Sequence, residues 1–195
     1  MRVLRISGLV LMVLSLGVGI SYAQTAKECY DKGIEYGSQG RFEEVEEEFK
    51  KALKIDQFYV PAEAGLKIIE DVLEKRVKNE FAIHLFKGAA YDSKGMFDEA
   101  IAECKKAIAI NPNYAEAHTN LGLVYYNKGM FDEAIAECKK AIAINPNYAK
   151  AHNNLAVVYY EQGQYDLAIK HCDKAIELGG KVHPEFLEAL KPYRK

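Results

Sequence analysis

Lys94 to His118 reads KGMFDEAIAECKKAIAINPNYAEAH, and Lys128 to His152 reads KGMFDEAIAECKKAIAINPNYAKAH. The two stretches differ only at Glu116 versus Lys150 and are offset by 34 residues. A period of that size marks stacked supersecondary units, because one such unit cannot bury its own apolar face and needs neighbours. Within the period the apolar residues recur at helical spacing, with Tyr125 and Ile135 on the same apolar stripes. Gly95, Gly129 and Gly163 fall where a first helix should end, at the position that favours a left-handed residue. Asp98, Asp132 and Asp166 then lie in the first turn of a second helix, near its positive end. Asn111-Pro112 and Asn145-Pro146 stop that helix, since proline cannot continue the hydrogen-bond ladder.

The frame extends over three regular units, 81–114, 115–148 and 149–182. In the middle one, Leu121-Gly122, Tyr125, Ala134, Cys138 and Pro146 follow the spacing L-G-x-x-Y…A-x-x-x-(F)…P. This resembles the tetratricopeptide repeat, a pair of antiparallel helices. The unit before it supplies Gly88, Tyr91, Ala100, Cys104 and Pro112, with Lys87 where Leu is usual. The unit after it supplies Leu155-Ala156, Tyr159, Ala168 and Cys172, and ends in Gly179-Gly180 instead of Asn-Pro. A weaker unit, 26–59, carries Gly33, Tyr36, Gly40, Phe49 and Ala52, with Lys32 in the Leu place and Gln57 in that of Pro. The resemblance implies an all-α fold, an α-solenoid of antiparallel helix pairs wound into a right-handed superhelix.

Three segments stand outside the repeats. At the N-terminus, Arg2 and Arg5 precede an apolar run from Ile6 to Ile20, and Ser21-Tyr22-Ala23 offers small residues for a cut after Ala23. That layout is expected of a secretory signal peptide over 1–23, and places the protein outside the cytoplasm, in the periplasm where there is an outer membrane. The alternative is a membrane anchor formed by an uncleaved segment. Residues 60–80, VPAEAGLKIIEDVLEKRVKNE, add a helix between the first and second units, with Pro61 in its first turn. This helix reads as a repeat that has lost its second helix, with a functional elaboration as the alternative, and it is either separate from the next helix or continuous with it. Residues 183–195 open with His183-Pro184-Glu185, place Phe186, Leu187 and Leu190 on one side, and form a polar-backed C-terminal cap.

Composition narrows the function. The formal charge is −2, and removal of Arg2 and Arg5 with the leader takes it to −4, which argues against nucleic acid as a partner. Cys104, Cys138 and Cys172 recur at the repeat period, so they occupy equivalent places roughly 8–10 Å apart by helix packing distances. That exceeds the reach of a disulfide, and small buried hydrophobes are the better reading. His84, His118 and His152 each stand 20 residues before one of these cysteines, a spacing that can set each His opposite its Cys. Two ligands per repeat do not complete a metal site, and no metal or other cofactor is expected. The acidic run Glu43-Glu44, Glu46-Glu47-Glu48 before Lys50, Lys51 and Lys54 suits a solvated helix face. There is no phosphate-cradling loop, nucleophile elbow or H-E-x-x-H, so no enzyme is expected.

In the resembled family, first helices line a concave groove that receives an extended peptide or a partner helix. The resemblance places Glu116, Thr119, Asn120, Leu123, Tyr126 and Asn127 there from one unit. The next unit adds Lys150, Asn153, Asn154, Val157, Tyr160 and Glu161. Asparagine amides both donate and accept, and so can hold a peptide backbone, while tyrosines add apolar area with a polar tip. Relatives that grip chaperone C-termini use a Lys/Asn/Arg clamp. Here Tyr30, Leu85, Thr119 and Asn153 stand at the Lys-type places, and Ile34, Ala89, Leu123 and Val157 at the Asn-type ones. The expected function is an exported scaffold or adaptor for a protein or peptide partner. The alternative is an envelope component that self-associates as a homo-oligomer or is tethered to the membrane.

Overall fold

A computed structural model describes residues 18–57 and 59–194. The expected leader lies almost wholly outside these described residues, since only its last residues, from Val18, are within them. Among the described residues there are ten α-helices, a 3₁₀ turn over Lys191–Tyr193, and no strand. No helix there is long and apolar enough to cross a membrane.

Four antiparallel pairs make the solenoid: α1 (Val18–Ser38) with α2 (Phe42–Ile55), α4 (Asn79–Ser93) with α5 (Phe97–Ile110), α6 (Ala115–Lys128) with α7 (Phe131–Ile144), and α8 (Ala149–Glu161) with α9 (Tyr165–Glu177). The turn inside each regular pair is the same. Met96, Met130 and Gln164 donate their backbone N–H to the carbonyls of Tyr91, Tyr125 and Tyr159 at 2.9, 2.8 and 2.9 Å. The intervening Gly95, Gly129 and Gly163 sit at φ 74°, 83° and 72°, where a side chain would be strained.

Between paired helices the spacing is set by small residues. A Cβ built on Gly88 or Gly122 would lie 2.8 or 3.1 Å from the Sγ of Cys104 or Cys138. Cys104, Cys138 and Cys172 are buried, and all four cysteines are unbridged. In the first pair the place of these cysteines is taken by Phe49, whose ring lies between Gly33 of α1 and a glycine of the additional helix, Gly65.

That additional helix, α3, spans Val60–Leu73 and is separate from α4. It ends at a turn in which Arg76 donates its N–H to the Asp71 carbonyl at 2.8 Å and Lys75 takes φ 57°. α3 packs on α2, as the first helix of a following repeat would, while α4 packs directly on α1. The result is one apolar cluster that draws Ile34, Val45, Phe49, Ile69, Val72, Phe81, Leu85 and Phe86 from four helices. At the other end α10 (Pro184–Leu190) buries Leu190 against Leu155 and Cys172, with Phe186 and Leu187 beside it. Tyr193 stacks on Tyr165, and Arg194 holds Asp173 at 2.5 Å, so this segment closes the last pair.

Candidate functional site

The first helices of the three regular pairs lie side by side, α4 against α6 and α6 against α8, and carry the residues assigned to the concave face. At the turn end of these helices, polar side chains tie one repeat to the next. Asn127 donates its amide to both carboxylate oxygens of Asp92, at 3.0 and 2.9 Å. Tyr126 is hydrogen-bonded to Glu161; its phenol is pushed up to about 12, chiefly by burial and then by that carboxylate. Burial likewise raises the carboxyls of Asp92 and Glu161. Tyr126, Asn127 and Glu161 are therefore already engaged within the protein, as is Tyr160, whose ring meets Tyr165, Phe186 and Tyr193 edge-on.

At the opposite, N-terminal end of the same helices, α3 forms an edge to the groove. Tyr114, just before α6, donates its hydroxyl proton to Asp71 of α3, whose carboxylate is also paired with Arg76 at 2.7 Å. Further along, Lys181, after α9, reaches the Gln57 carbonyl at 3.4 Å and Glu63 of α3 at 3.5 Å. α3 thus runs past the starts of α6 and α8, next to Glu116 and Lys150. Burial raises the Glu116 carboxyl, and burial lowers the Lys150 amine to about 8 despite the carboxylates of Glu116 and Glu63 nearby. Thr119 is buried, with its hydroxyl donated to the Glu116 carbonyl at 2.9 Å.

Between these two ends lie the remaining residues assigned to the concave face. Leu123 is 38 % exposed, Val157 and Asn120 are half-buried, and Asn153 and Asn154 stand beside them on α8. The Asn153 Oδ1 and the Asn154 Nδ2 are both buried and have no hydrogen-bond partner. The hollow lined by Tyr165, Leu167, Tyr193 and Arg194 belongs to the C-terminal cap and shares none of these residues.

The repeated histidines do not meet the cysteines. His84 and His118 bring Nδ1 to Glu103 and Glu137 at 2.6 and 2.7 Å, and His152 brings Nδ1 to His171 at 3.0 Å. Each partner is the residue immediately before the cysteine, and each cysteine faces inward. No group of three or more metal-ligating side chains forms among the described residues. Ser38 and Ser93 donate their hydroxyls to backbone carbonyls in their own helices, at 2.7 and 3.0 Å, rather than to a base.

Sequence reasoning did not find the role of α3, because Asp71, Glu63 and Lys181 reach the groove edge through contacts 43 and 118 residues apart in the chain. The partners of the histidines carried a readable signal: positions 103, 137 and 171 share the 34-residue period.

Residues 88–129 match a family profile described as TPR repeat, and residues 26–59, 115–148 and 149–179 match profiles described as tetratricopeptide repeat. Together these cover more than half of the chain. No curated protein matches the chain at a significant level. Among solved structures, the Sgt2 TPR domain from Aspergillus fumigatus is similar with a TM-score of 0.57 at 23 % identity, over 60 % of this chain and 80 % of that one. The TPR2B domain of yeast Sti1, solved in a pHsp70 complex, is similar with a TM-score of 0.50 at 25 % identity, over 52 % and 81 %. The TPR2AB domain of yeast Sti1, in a pHSP90 complex, has a TM-score of 0.50 at 23 % identity, over 80 % and 63 %.

Proposed function

Because the chain belongs to the tetratricopeptide repeat family, we propose that it is a non-catalytic scaffold that binds an extended peptide segment of a partner protein on its concave face. The observation that carries this reading is the pair of neighbouring asparagine amides, Asn153 and Asn154, on the assigned face of α8, where the Asn153 Oδ1 and the Asn154 Nδ2 meet no partner within the protein. A peptide backbone offers an N–H and a C=O at every residue, which is the complement of that pair. Leu123 and Val157 beside it offer apolar area for a side chain of the ligand. The similarity to the Sti1 TPR2B domain, solved with pHsp70, supports a peptide as ligand. The residues at the chaperone-clamp places differ, so the ligand is a different peptide. The charged and apolar segment over 1–23 supports a site of action outside the cytoplasm.

The test is crosslinking of the full-length protein in its native compartment, followed by mass spectrometry, in parallel with the double variant Asn153→Ala/Asn154→Ala. The expected result is a specific partner recovered with the wild type and lost with the variant, whose helical circular dichroism should match that of the wild type. Recovery of self-crosslinks alone, or of the same partner with both proteins, would overturn the reading.

A further inference from the structure

The last regular pair differs from the two before it in one chemical respect. In α6–α7, His118 has acceptors on both ring nitrogens: the Pro112 carbonyl at 3.0 Å from Nε2 and the Glu137 carboxylate at 2.7 Å from Nδ1. Both ring nitrogens of His118 thus face an acceptor, and Lys140 balances the other oxygen of Glu137 at 2.7 Å. α4–α5 repeats the His–Glu–Lys set with His84, Glu103 and Lys106, at 2.6 Å for each contact. In α8–α9 the glutamate is replaced by His171. The Nε2 of His152 still faces a carbonyl, that of Pro146 at 3.4 Å, so it carries the proton and Nδ1 presents its lone pair. The bond of 3.0 Å between the two Nδ1 atoms therefore holds one proton, donated by His171.

We propose that the His152–His171 pair is a proton-sensitive latch that opens the C-terminal repeat in mild acid. The closed geometry accommodates one added proton on the pair and not two, since a second would set two N–H groups against each other across 3.0 Å. Both histidines of the opened repeat take a proton. The surroundings oppose the second. Burial, then His152, and then the charges of Lys170 on the same helix and Lys139 on α7, hold the His171 imidazole down at about 4. Tyr159 of α8 stacks on the His171 ring at 5.7 Å, and α10 contributes Phe186, Leu187 and Leu190 to this core. Asp173, the nearby carboxylate on α9, is held by Arg194. The two preceding repeats, with a carboxylate at this place, have no such weakness. Opening would also carry Asn153 and Asn154 out of the groove; that consequence rests on the peptide-binding reading, and the opening itself does not.

The sign follows from proton counts. Between the ordinary histidine value of ~6.5 and about 4, the opened repeat binds more protons than the closed one, so each unit of acidification favours opening by about tenfold. Cys172, buried beneath the latch, and Cys104, two repeats away, report it without added labels. The experiment is labelling of the full-length protein with a pyridyl disulfide that reacts in acid, read site by site by mass spectrometry from pH 6.5 to pH 4.5. The expected result is a Cys172-to-Cys104 labelling ratio that rises about tenfold per pH unit in the wild type. It should stay flat in His171→Gln, whose amide can either donate to or accept from His152. If that variant is already open at neutral pH, His171→Glu, which copies the two preceding repeats, decides by staying flat between pH 6.5 and pH 5. A flat ratio in the wild type, or the same rise in the variant that folds, would overturn the latch.

Discussion

Tyr114 donates its hydroxyl proton to Asp71, joining the start of α6 to a helix 43 residues earlier in the chain. The bond holds the additional helix α3 along the edge of the concave face, and the Tyr114 ring meanwhile packs edge-on against Phe81 at 4.8 Å. Tyr114→Phe keeps that ring contact and removes only the hydrogen bond to a charged group. The expected cost is about 1.5–3 kcal/mol, read by urea denaturation, with faster amide exchange in α3 than in α7. Equal exchange in wild type and variant would show that α3 is held by its apolar face alone.

Phe49 lies where a Cβ on Gly65 would come within 2.1 Å of its ring, and one on Gly33 within 2.4 Å. Gly65→Ala is therefore expected to overpack the first pair and destabilise the protein by about 1–3 kcal/mol. Gly122→Ala should differ by less than about 1 kcal/mol from the wild type. Its Cβ meets Cys138 Sγ at 3.1 Å, helix propensity gains up to ~1 kcal/mol, and the next repeat already carries Ala156 at this place. Melting temperatures of the two variants side by side check the order.

Lys150 is the cation of the groove edge, and burial holds its amine at about 8 in the folded protein against ~10.4 for an ordinary lysine. Between those values the unfolded chain holds the extra proton, so this group makes stability rise with pH over that window. The destabilising contribution is fully present below about 8. Lys150→Met is expected to raise stability at pH 7 by about 1 kcal/mol and to remove the wild type's gain between pH 8 and pH 10. Parallel urea titrations at the two pH values give the difference directly, and an unchanged difference would rule out the assignment.

The thiols of Cys104 and Cys138 are pushed up to about 12 by burial, which keeps them protonated and out of reach. Cys29 is half-buried on α1. At pH 8 a maleimide should label Cys29 first, with Cys104 and Cys138 following only in urea. Rapid labelling of either buried thiol in the folded protein would contradict the packing described.

The regular part of the fold was readable because it is built from local rules repeated at a fixed period. The positive-φ glycines, the proline stops and the Gly–Cys approach recur every 34 residues, and each acts within one helix pair. The groove set was readable as positions on first helices. Which of those side chains are engaged was not: Tyr126 looks outward to the next repeat for Glu161, and Asn127 back to the previous one for Asp92. The pairing of each histidine with the residue before the cysteine, rather than the cysteine itself, also turned on how two helices are rotated about their axes. A sequence offset of 19 or 20 does not by itself fix that rotation.

By itself the sequence determined the repeat and its helix pairs, because periodicity and turn chemistry are local. Tertiary structure alone decided where α3 lies, and with it which end of the groove is walled off. That placement depends on Phe49 filling the space between Gly33 and Gly65, on Tyr114 meeting Asp71, and on Lys181 meeting Glu63. These are contacts between distant parts of the chain, made by the packing of one helix across several repeats, and no periodic signal records them.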